Sequence, residues 1–306
     1  MKAIRLHARS GPEAFVYEDA PAPQPGDGEV LVAVRAAGVT PTELTWIPTW
    51  TTRDGGPRPF PIIPGHEFSG EVCAVGPGVV GLAVGDAVYG MNDWFRDGAQ
   101  AERCVARAVD VARKPRSVDH LAAAVTPISA LTAWQGLIER ARLAPNERVL
   151  VHGAAGGVGV FGVQVARWRG ARVVATASAH NLDFVRGLGA DEVIDHRAVR
   201  FEDIVHDVDV VFDAVGGDTL ARSWRVLGPN GRLVTVAASA EQTTDPRVRD
   251  AFFIVEPSRA QLTTVAEMID AGDLRPVVGA VFPLAEARQA YEHRPAHGKV
   301  VLAVAA

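Results

Sequence analysis

The run Arg148-Val-Leu-Val-His-Gly-Ala-Ala-Gly-Gly-Val-Gly-Val160 limits what this chain can fold into more than any other stretch. Three apolar residues, Val149 to Val151, lead into a glycine cluster. An apolar-periodic segment follows through Phe161, Val163, Val165 and Ala166. Strand, tight turn and helix in that order open a dinucleotide-binding βαβ unit. Gly153 and Gly156 are expected to turn the backbone, Gly157 to admit a diphosphate where a Cβ would stand, and Gly159 to let the helix pack against the strand. The N–H groups that open the helix then face the anion. A glycine-rich turn without a ligand is the competing reading; the strand before it and the helix after it favour binding.

The second apolar run, Ala171-Arg-Val-Val-Ala-Thr-Ala-Ser178, narrows the cofactor. Sites for NADH place a carboxylate about 20 residues past the glycines, where it accepts from the ribose hydroxyls. No Asp or Glu occurs between Gly153 and Leu182. A carboxylate there would repel a 2′-phosphate. Ser178, His180 and Asn181 stand in its place, and all can donate hydrogen bonds. The pattern predicts NADPH rather than NADH. The same four residues, Ser178-Ala-His-Asn181, suit a helix start with Asn181 as cap and Asp183 in the first turn, and the two readings are compatible.

The rest of the chain supplies the frame. Its 306 residues allow two domains and a large core. A net charge of −5 disfavours a nucleic-acid surface. Cys73 and Cys104 lie far apart with no C-x-x-C pair, so neither a disulfide framework nor a cysteine-rich zinc site is expected. Met1 to His7 alternates like a strand and lacks the apolar core of a signal peptide, and no run is long enough to span a bilayer; a soluble cytoplasmic chain is the expectation. Residues 1–118 read as mostly β, with runs such as Val30–Val34 and Ala83–Tyr89 broken by Gly and Pro. A helical region starts at Leu121 and continues past Pro127 to Glu139. Beyond the glycines, strands at Ala190–Asp195, Asp207–Phe212 and Arg232–Val236 alternate with helices, which predicts an open parallel sheet. Ser258 caps an amphipathic helix stopped at Gly272, and the short strands and helix after it are expected to rejoin the first domain. The fold class is therefore α/β, with a β-rich domain of residues 1–118 and 275–306 and a doubly wound parallel-sheet domain of residues 119–274.

Several stretches, Ala36-Ala-Gly-Val-Thr-Pro-Thr42, Pro64-Gly-His-Glu-Phe-Ser-Gly70, Leu131-Thr-Ala-Trp-Gln135, the glycine motif, Leu188-Gly-Ala-Asp-Glu-Val-Ile-Asp195 and Phe252-Phe-Ile-Val-Glu-Pro257, carry a family likeness. Over essentially the whole chain they resemble the medium-chain dehydrogenase/reductase superfamily, and within it the zinc-free quinone oxidoreductase branch. The resemblance implies a GroES-like catalytic domain joined to a Rossmann domain, a small-molecule substrate and a homodimer. Zinc-containing relatives carry Cys where Thr40 stands, His where His66 stands and a further Cys near Thr126-Pro127. A threonine hydroxyl is a poor ligand beside a thiolate, and proline offers no donor. The segment Gly90–Gly98 lacks the cysteines of a structural zinc lobe. No metal is expected, and His66 and Glu67 are expected to hold the cleft floor by hydrogen bonds, with a catalytic role for either as the lesser reading. Without a Lewis acid an isolated carbonyl is hard to reduce. A conjugated acceptor spreads the charge onto an enolate or hydroquinone oxygen that a few hydrogen-bond donors can stabilise. The implied reaction is NADPH-dependent reduction of quinones or α,β-unsaturated carbonyl compounds. Two alternatives stay open: a trans-acting enoyl-thioester reductase, with Arg113-Lys-Pro-Arg116 as a docking patch for a carrier protein, and a non-catalytic NADPH-binding sensor.

By the same resemblance Thr40 lies at the nicotinamide end, a hydroxyl where quinone reductases often carry Asn, with Thr42 beside it. Turn chemistry around Pro41 explains both hydroxyls equally well. Trp46, Trp50 and Trp94 are either walls of a planar-substrate pocket or packing residues. Thr132 falls beside the nicotinamide or phosphates, and Gly156, Gly157, Val158 and Gly159 over the diphosphate. Ser178 and His180 fall near the 2′-phosphate and His196 on the adenosine side. Val215, Ala237, Phe253, Ile254 and Val255 are expected to edge the adenine and nicotinamide.

Overall fold

The computed structural model describes residues 1–237 and 243–304. Two sheets organise it. The first is built from β3 (Glu29–Gly38), β4 (Glu67–Val75), β5 (Ala87–Met91), β6 (Arg103–Arg107) and β7 (Val111–Arg113), after a small hairpin of β1 (Lys2–Arg5) and β2 (Val16–Asp19). β3 is ten residues long, and its apolar run is buried along most of its length, so it sits mid-sheet with β4 on one side and β6 on the other. A short helix, α1 (Ile47–Trp50), follows β3.

The second sheet is parallel, with β8 (Arg148–His152) at its centre, β9 (Arg172–Ala177) and β10 (Glu192–Asp195) to one side, and β11 (Val208–Asp213) and β12 (Leu227–Thr235) to the other. The strand order reverses on either side of β8, so a crevice opens beyond its carboxyl end, where such sheets bind ligands. Ahead of this sheet come α2 (His120–Ala124) and α3 (Pro127–Trp134); among and after its strands come α4 (Gly157–Trp168), α5 (Leu182–Gly187), α6 (Gly217–Ser223), α7 (Pro246–Ala251) and α8 (Arg259–Ala271). α4 is buried from Gly159 to Ala166 and packs between the sheet and α3, as a helix apolar on nearly every face must.

The helical region expected from Leu121 past Pro127 to Glu139 is present, as separate pieces. Asp119 caps α2 by accepting from Ala122 N at 2.8 Å, and α2 stops at Ala124. Pro127 then opens α3, because its missing N–H is tolerated only in a first helical turn. α2 packs on the first sheet beside Ala36 and Val301, and α3 packs on α4, so the chain crosses from one layer to the other between them. Residues Gln135–Arg140 continue α3 as a π-helical turn.

The α8 expectation holds in detail. Ser258 Oγ accepts from Gln261 N, Leu262, Val265, Ala266 and Ile269 are buried, and Gly272 ends the helix in the left-handed region at φ 85°. β13 (Val278–Pro283), α9 (Ala287–Glu292) and β14 (Lys299–Ala303) complete the chain. β14 pairs antiparallel with β3, Val301 opposite Gly38 and Ala303 opposite Ala36, so the last segment does rejoin the first sheet. Among the described residues no helix is long and apolar enough to cross a membrane.

Candidate active site

β8 ends at His152, and Gly153 turns the chain at φ +70°. A Cβ on Gly159 would lie 2.1 Å from the Gly153 carbonyl oxygen, so the first turn of α4 packs directly onto the turn that precedes it. A Cβ on Gly157 would meet Ser129 Oγ at 3.3 Å and Lys299 Cβ at 3.4 Å. Gly156 departs from the expectation: its φ of −78° is ordinary extended backbone, and Gly153 makes the turn. Gly156 instead bridges Gly298, and Gly298 N donates to Ala155 O at 2.8 Å, which fastens the C-terminal segment over the glycine loop.

A cleft of about 370 Å³ lies outside the ends of β8, β9 and β11. The glycine loop forms one wall, Val215 another, and Pro295 to Gly298 the rim. Asp213 fixes the Val215 loop: its carboxylate accepts from Val215 N and Gly216 N at 3.1 Å and from Thr235 Oγ1 at 2.7 Å. At the far end stand Ser178, Asn181, His196 and Arg222, with Ser178 Oγ 3.4 Å from His196 Nε2. No Asp or Glu lines the cleft among the described residues. Arg222 reaches Glu202 at 3.0 Å and lies over the Phe201 ring.

His152 forms part of the base. It is fully buried, with Nδ1 2.9 Å from Thr176 Oγ1 and Nε2 3.0 Å from Ser223 Oγ. Burial, with Arg222 nearby, pushes this imidazole down to about 3, so it is neutral.

Ser178, His196, Gly156 and Val215 thus come together at one cleft, with Gly157, Val158 and Gly159 in the helix turn beside it. His180 is exposed and stands off the lining. Asn181 does not cap α5; its Nδ2 donates to Ala296 O at 2.6 Å and ties the C-terminal rim down. The Thr132 hydroxyl donates to Ile128 O at 2.6 Å within its own helix, so it is already engaged. Ala237 is exposed, its carbonyl pressed against Gly216. Phe253 and Val255 point into the core while Ile254 is exposed. Arg222, Phe201, Thr219 and His297 also line the cleft; nothing local in the sequence marked them, because they arrive from separate turns of the chain.

Beyond the glycine loop the path continues along buried polar groups. Lys299, packed against Gly157, pairs with Glu67, whose second oxygen accepts from Ile128 N at 3.0 Å. Burial pushes the Glu67 carboxyl up, and Lys299 opposes that. Glu67 is thus held in place by an ion pair and a backbone hydrogen bond, outside the lining of the cleft. His66 is also buried, with Nδ1 3.0 Å from Glu43 Oε1, which in turn accepts from Gly65 N at 2.7 Å. The sequence reading missed Glu43.

Thr40 lies just past the paired end of β3 and His66 just before β4, beyond the last register pair, Ala37 opposite Phe68. Thr40 O accepts from Glu43 N at 2.9 Å, so the turn chemistry around Pro41 is present. Thr42 is exposed, and its carbonyl accepts from Thr45 Oγ1. The tryptophans divide. Trp94 lies 5.1 Å from the His66 ring and 5.2 Å from Trp46. Trp50 is a packing residue, buried with Leu6 and Ile62 and donating to Leu44 O.

The donor set does not suit zinc. Thr126 Oγ1 donates to Ala122 O, Pro127 has no donor, and Thr40 offers only a neutral hydroxyl. Among the described residues no three His, Cys, Asp or Glu side chains gather where they could hold a metal. Cys104 is buried, which pushes its thiol up to about 12, and Cys73 is exposed and free.

A β-rich layer, a parallel nucleotide-binding sheet and a cleft between glycine loop and returning tail define an NAD(P)H oxidoreductase. Comparison with known proteins narrows this. Residues 26–116 match the alcohol dehydrogenase GroES-like domain, and residues 188–302 match the zinc-binding dehydrogenase family. The quinone oxidoreductase of Sus scrofa is 31% identical, over 99% of this chain and 97% of its own. A stretch of the polyketide synthase GfsB of Streptomyces halstedii is 36% identical over 91% of this chain, which spans only 5% of that relative. The solved structure of mycobacterial Rv1454c complexed with NADPH superposes with a TM-score of 0.83 at 32% identity, over 99% of this chain and 100% of that one. The chain belongs to the medium-chain dehydrogenase/reductase superfamily, on its zinc-free, quinone oxidoreductase-like branch.

Proposed function

We propose that this oxidoreductase uses NADPH to reduce quinones or α,β-unsaturated carbonyl compounds by hydride transfer, without a metal. The observation that carries the reading is the composition of the cleft's ribose end. The ribose end presents hydroxyl, imidazole and amide groups and no carboxylate, which suits a 2′-phosphate. Outside that lining, Trp94 packs against His66 and Trp46, and we assign that apolar region to a flat conjugated acceptor.

Gly153 to Gly159 would hold the diphosphate at the start of α4, Ser178 and His196 the phosphorylated ribose, and Val215 the edge of the cofactor, with His180, Ala237 and Ile254 at its margins. NADPH, when bound, supplies the hydride. The protein's own work is to align the acceptor, exclude water and receive the charge that develops on its oxygen. Thr40 is the hydroxyl we assign to that oxygen. We further propose a homodimer, a cytoplasmic location and a division of the chain into 1–118 with 275–306 and 119–274.

The similarity to a polyketide synthase segment supports a second reading, reduction of enoyl thioesters. In the basic stretch proposed to dock a carrier, Arg113 and Arg116 are exposed and make only surface pairs with Asp86 and Asp270, while Lys114 donates to the Pro115 carbonyl. Following NADPH and NADH oxidation with a quinone, an alkenal and an enoyl thioester separates the readings. Turnover of the quinone or alkenal is expected, with kcat/KM severalfold higher for NADPH than for NADH. Equal efficiency of the two cofactors would remove the phosphate assignment. Turnover of the thioester alone would favour the second reading, and tight NADPH binding with no turnover a sensor.

A further inference from the structure

The far end of the cleft holds a flat cation, Arg222 of α6, beside Val199, Phe201 and Thr219. Its place is fixed from the base of the cleft upward. His152 Nε2 lies 3.0 Å from the hydroxyl of Ser223, the next residue along α6. The Phe201 ring stands 4.5 Å from the His152 ring, edge on at 63°. The Arg222 guanidinium lies 5.2 Å over the centre of that Phe201 ring. Burial does most to lower the His152 imidazole, and Arg222 and His196 both add to it, so these two cations or donors flank one base. Arg222 therefore stands at the ribose end of the cleft, across from the glycine loop.

The bonds Arg222 already makes decide how it can meet a ligand. Nη1 donates to both oxygens of Glu202, at 3.0 and 3.1 Å, and Nε donates to Asp218 O at 3.1 Å. Glu202 also pairs with Arg200 at 2.8 Å. A guanidinium forks onto a phosphate through two parallel N–H groups, from its Nε–Nη2 side or its Nη1–Nη2 end. Each of those pairs has lost one member, and the Glu202 carboxylate beside Nη1 repels an incoming phosphate. Nη2 and the flat face remain, and 33% of the side chain is exposed. A guanidinium face stacks on aromatic rings and on nucleobases.

Resting on the cofactor reading above, we propose that Arg222 seats the adenine ring of NADPH by stacking through its face, not by pairing with the 2′-phosphate, and that Glu202 is the positioning residue that sets its plane. The diphosphate goes to the start of α4 and the phosphorylated ribose to Ser178 and His196, so the base falls beyond them, over Arg222 and between Val199 and Thr219. The cleft then reads base and phosphate with separate groups, and loss of one leaves recognition of the other intact.

Fluorescence titration with NADPH and NADH tests this. Arg222→Leu, in which Arg200 still pairs with Glu202, is expected to weaken both cofactors about tenfold while their affinity ratio stays within about twofold of the parent's. Arg222→Lys keeps a cation beside Glu202 and loses the plane, so it should bind no better than Arg222→Leu. Glu202→Gln should raise KM for NADPH about threefold while kcat changes by less than about twofold, as for lost binding that is equal in ground and transition states. In the parent protein, adenosine 5′-monophosphate should displace NADPH roughly tenfold more effectively than ribose 5-phosphate, a measurement that needs no variant. Parent-like affinity in Arg222→Leu, full recovery in Arg222→Lys or equal displacement by the two monophosphates would overturn the proposal. So would a loss confined to NADPH, which would put Arg222 on the phosphate. A parent that binds NADPH and NADH equally would overturn the phosphate reading alone, because the loss in Arg222→Leu is then read on either cofactor.

Discussion

At the scale of single residues, buried polar side chains set the conditions under which this protein holds together. His152 is the clearest case. It bridges the ends of β8 and β9 to α6 through Thr176 and Ser223, and it is neutral because burial holds its imidazole near 3. In the unfolded chain the same group takes a proton near pH 6.5. Between these values the unfolded state binds more protons, so stability contributed by the neutral ring is present above pH 6.5 and is lost as pH falls. Linkage puts the loss between pH 7.5 and pH 5 at about 2 kcal/mol. We expect His152→Gln to be less stable at pH 7.5 and to show a shallower acid slope, measured as denaturation midpoint against pH. An unchanged slope would place the acid sensitivity elsewhere.

At the scale of elements, the turn from β8 into α4 is the most constrained feature. Gly153 supplies the left-handed turn, and Gly159 supplies the missing Cβ that lets α4 close onto it. Gly159→Ala would force a carbon to within 2.1 Å of a backbone oxygen, so the helix start must shift. A loss of about 1–3 kcal/mol is expected from overpacking, with NADPH affinity at least tenfold weaker because the helix-end N–H groups move. Gly187→Ala is the contrast. It closes α5 in open space and should be neutral or stabilise by roughly 0.5–1 kcal/mol. Denaturation and fluorescence titration read both variants; matching losses would deny the close packing its role. This turn was legible in the sequence because all its constraints lie within a dozen residues. The break of the 121–139 helix was less so: helical periodicity runs through Pro127, and tertiary packing sends the two halves to different layers.

At the scale of the whole molecule, the returning tail ties the two sheets to one cleft. β14 joins β3, Gly298 bonds Ala155, and Lys299 reaches across to Glu67 on β4 while packing against Gly157. Both members of that ion pair are buried. Removing the cation leaves a carboxylate without compensation, so Lys299→Met is expected to cost about 3–5 kcal/mol. The Glu67→Gln, Lys299→Met double variant should recover most of it, as read by chemical denaturation. A double variant no better than the single one would mean that the pair acts through packing alone.

The sequence by itself determined the nucleotide-binding unit, the alternation of strands and helices around it, the capped helix ending at Gly272 and the absence of a carboxylate after β9. Each of these is written in residues close together along the chain, where backbone geometry and side-chain period act directly. Only the tertiary structure decided that Glu43 would meet His66, that Arg222 and His297 would reach the cleft, that the Thr132 hydroxyl would turn back into its helix and that Trp94, rather than Trp50, would pack against His66. Those outcomes depend on which distant segments pack together, and burial, not local pattern, selects the partner each polar group finds.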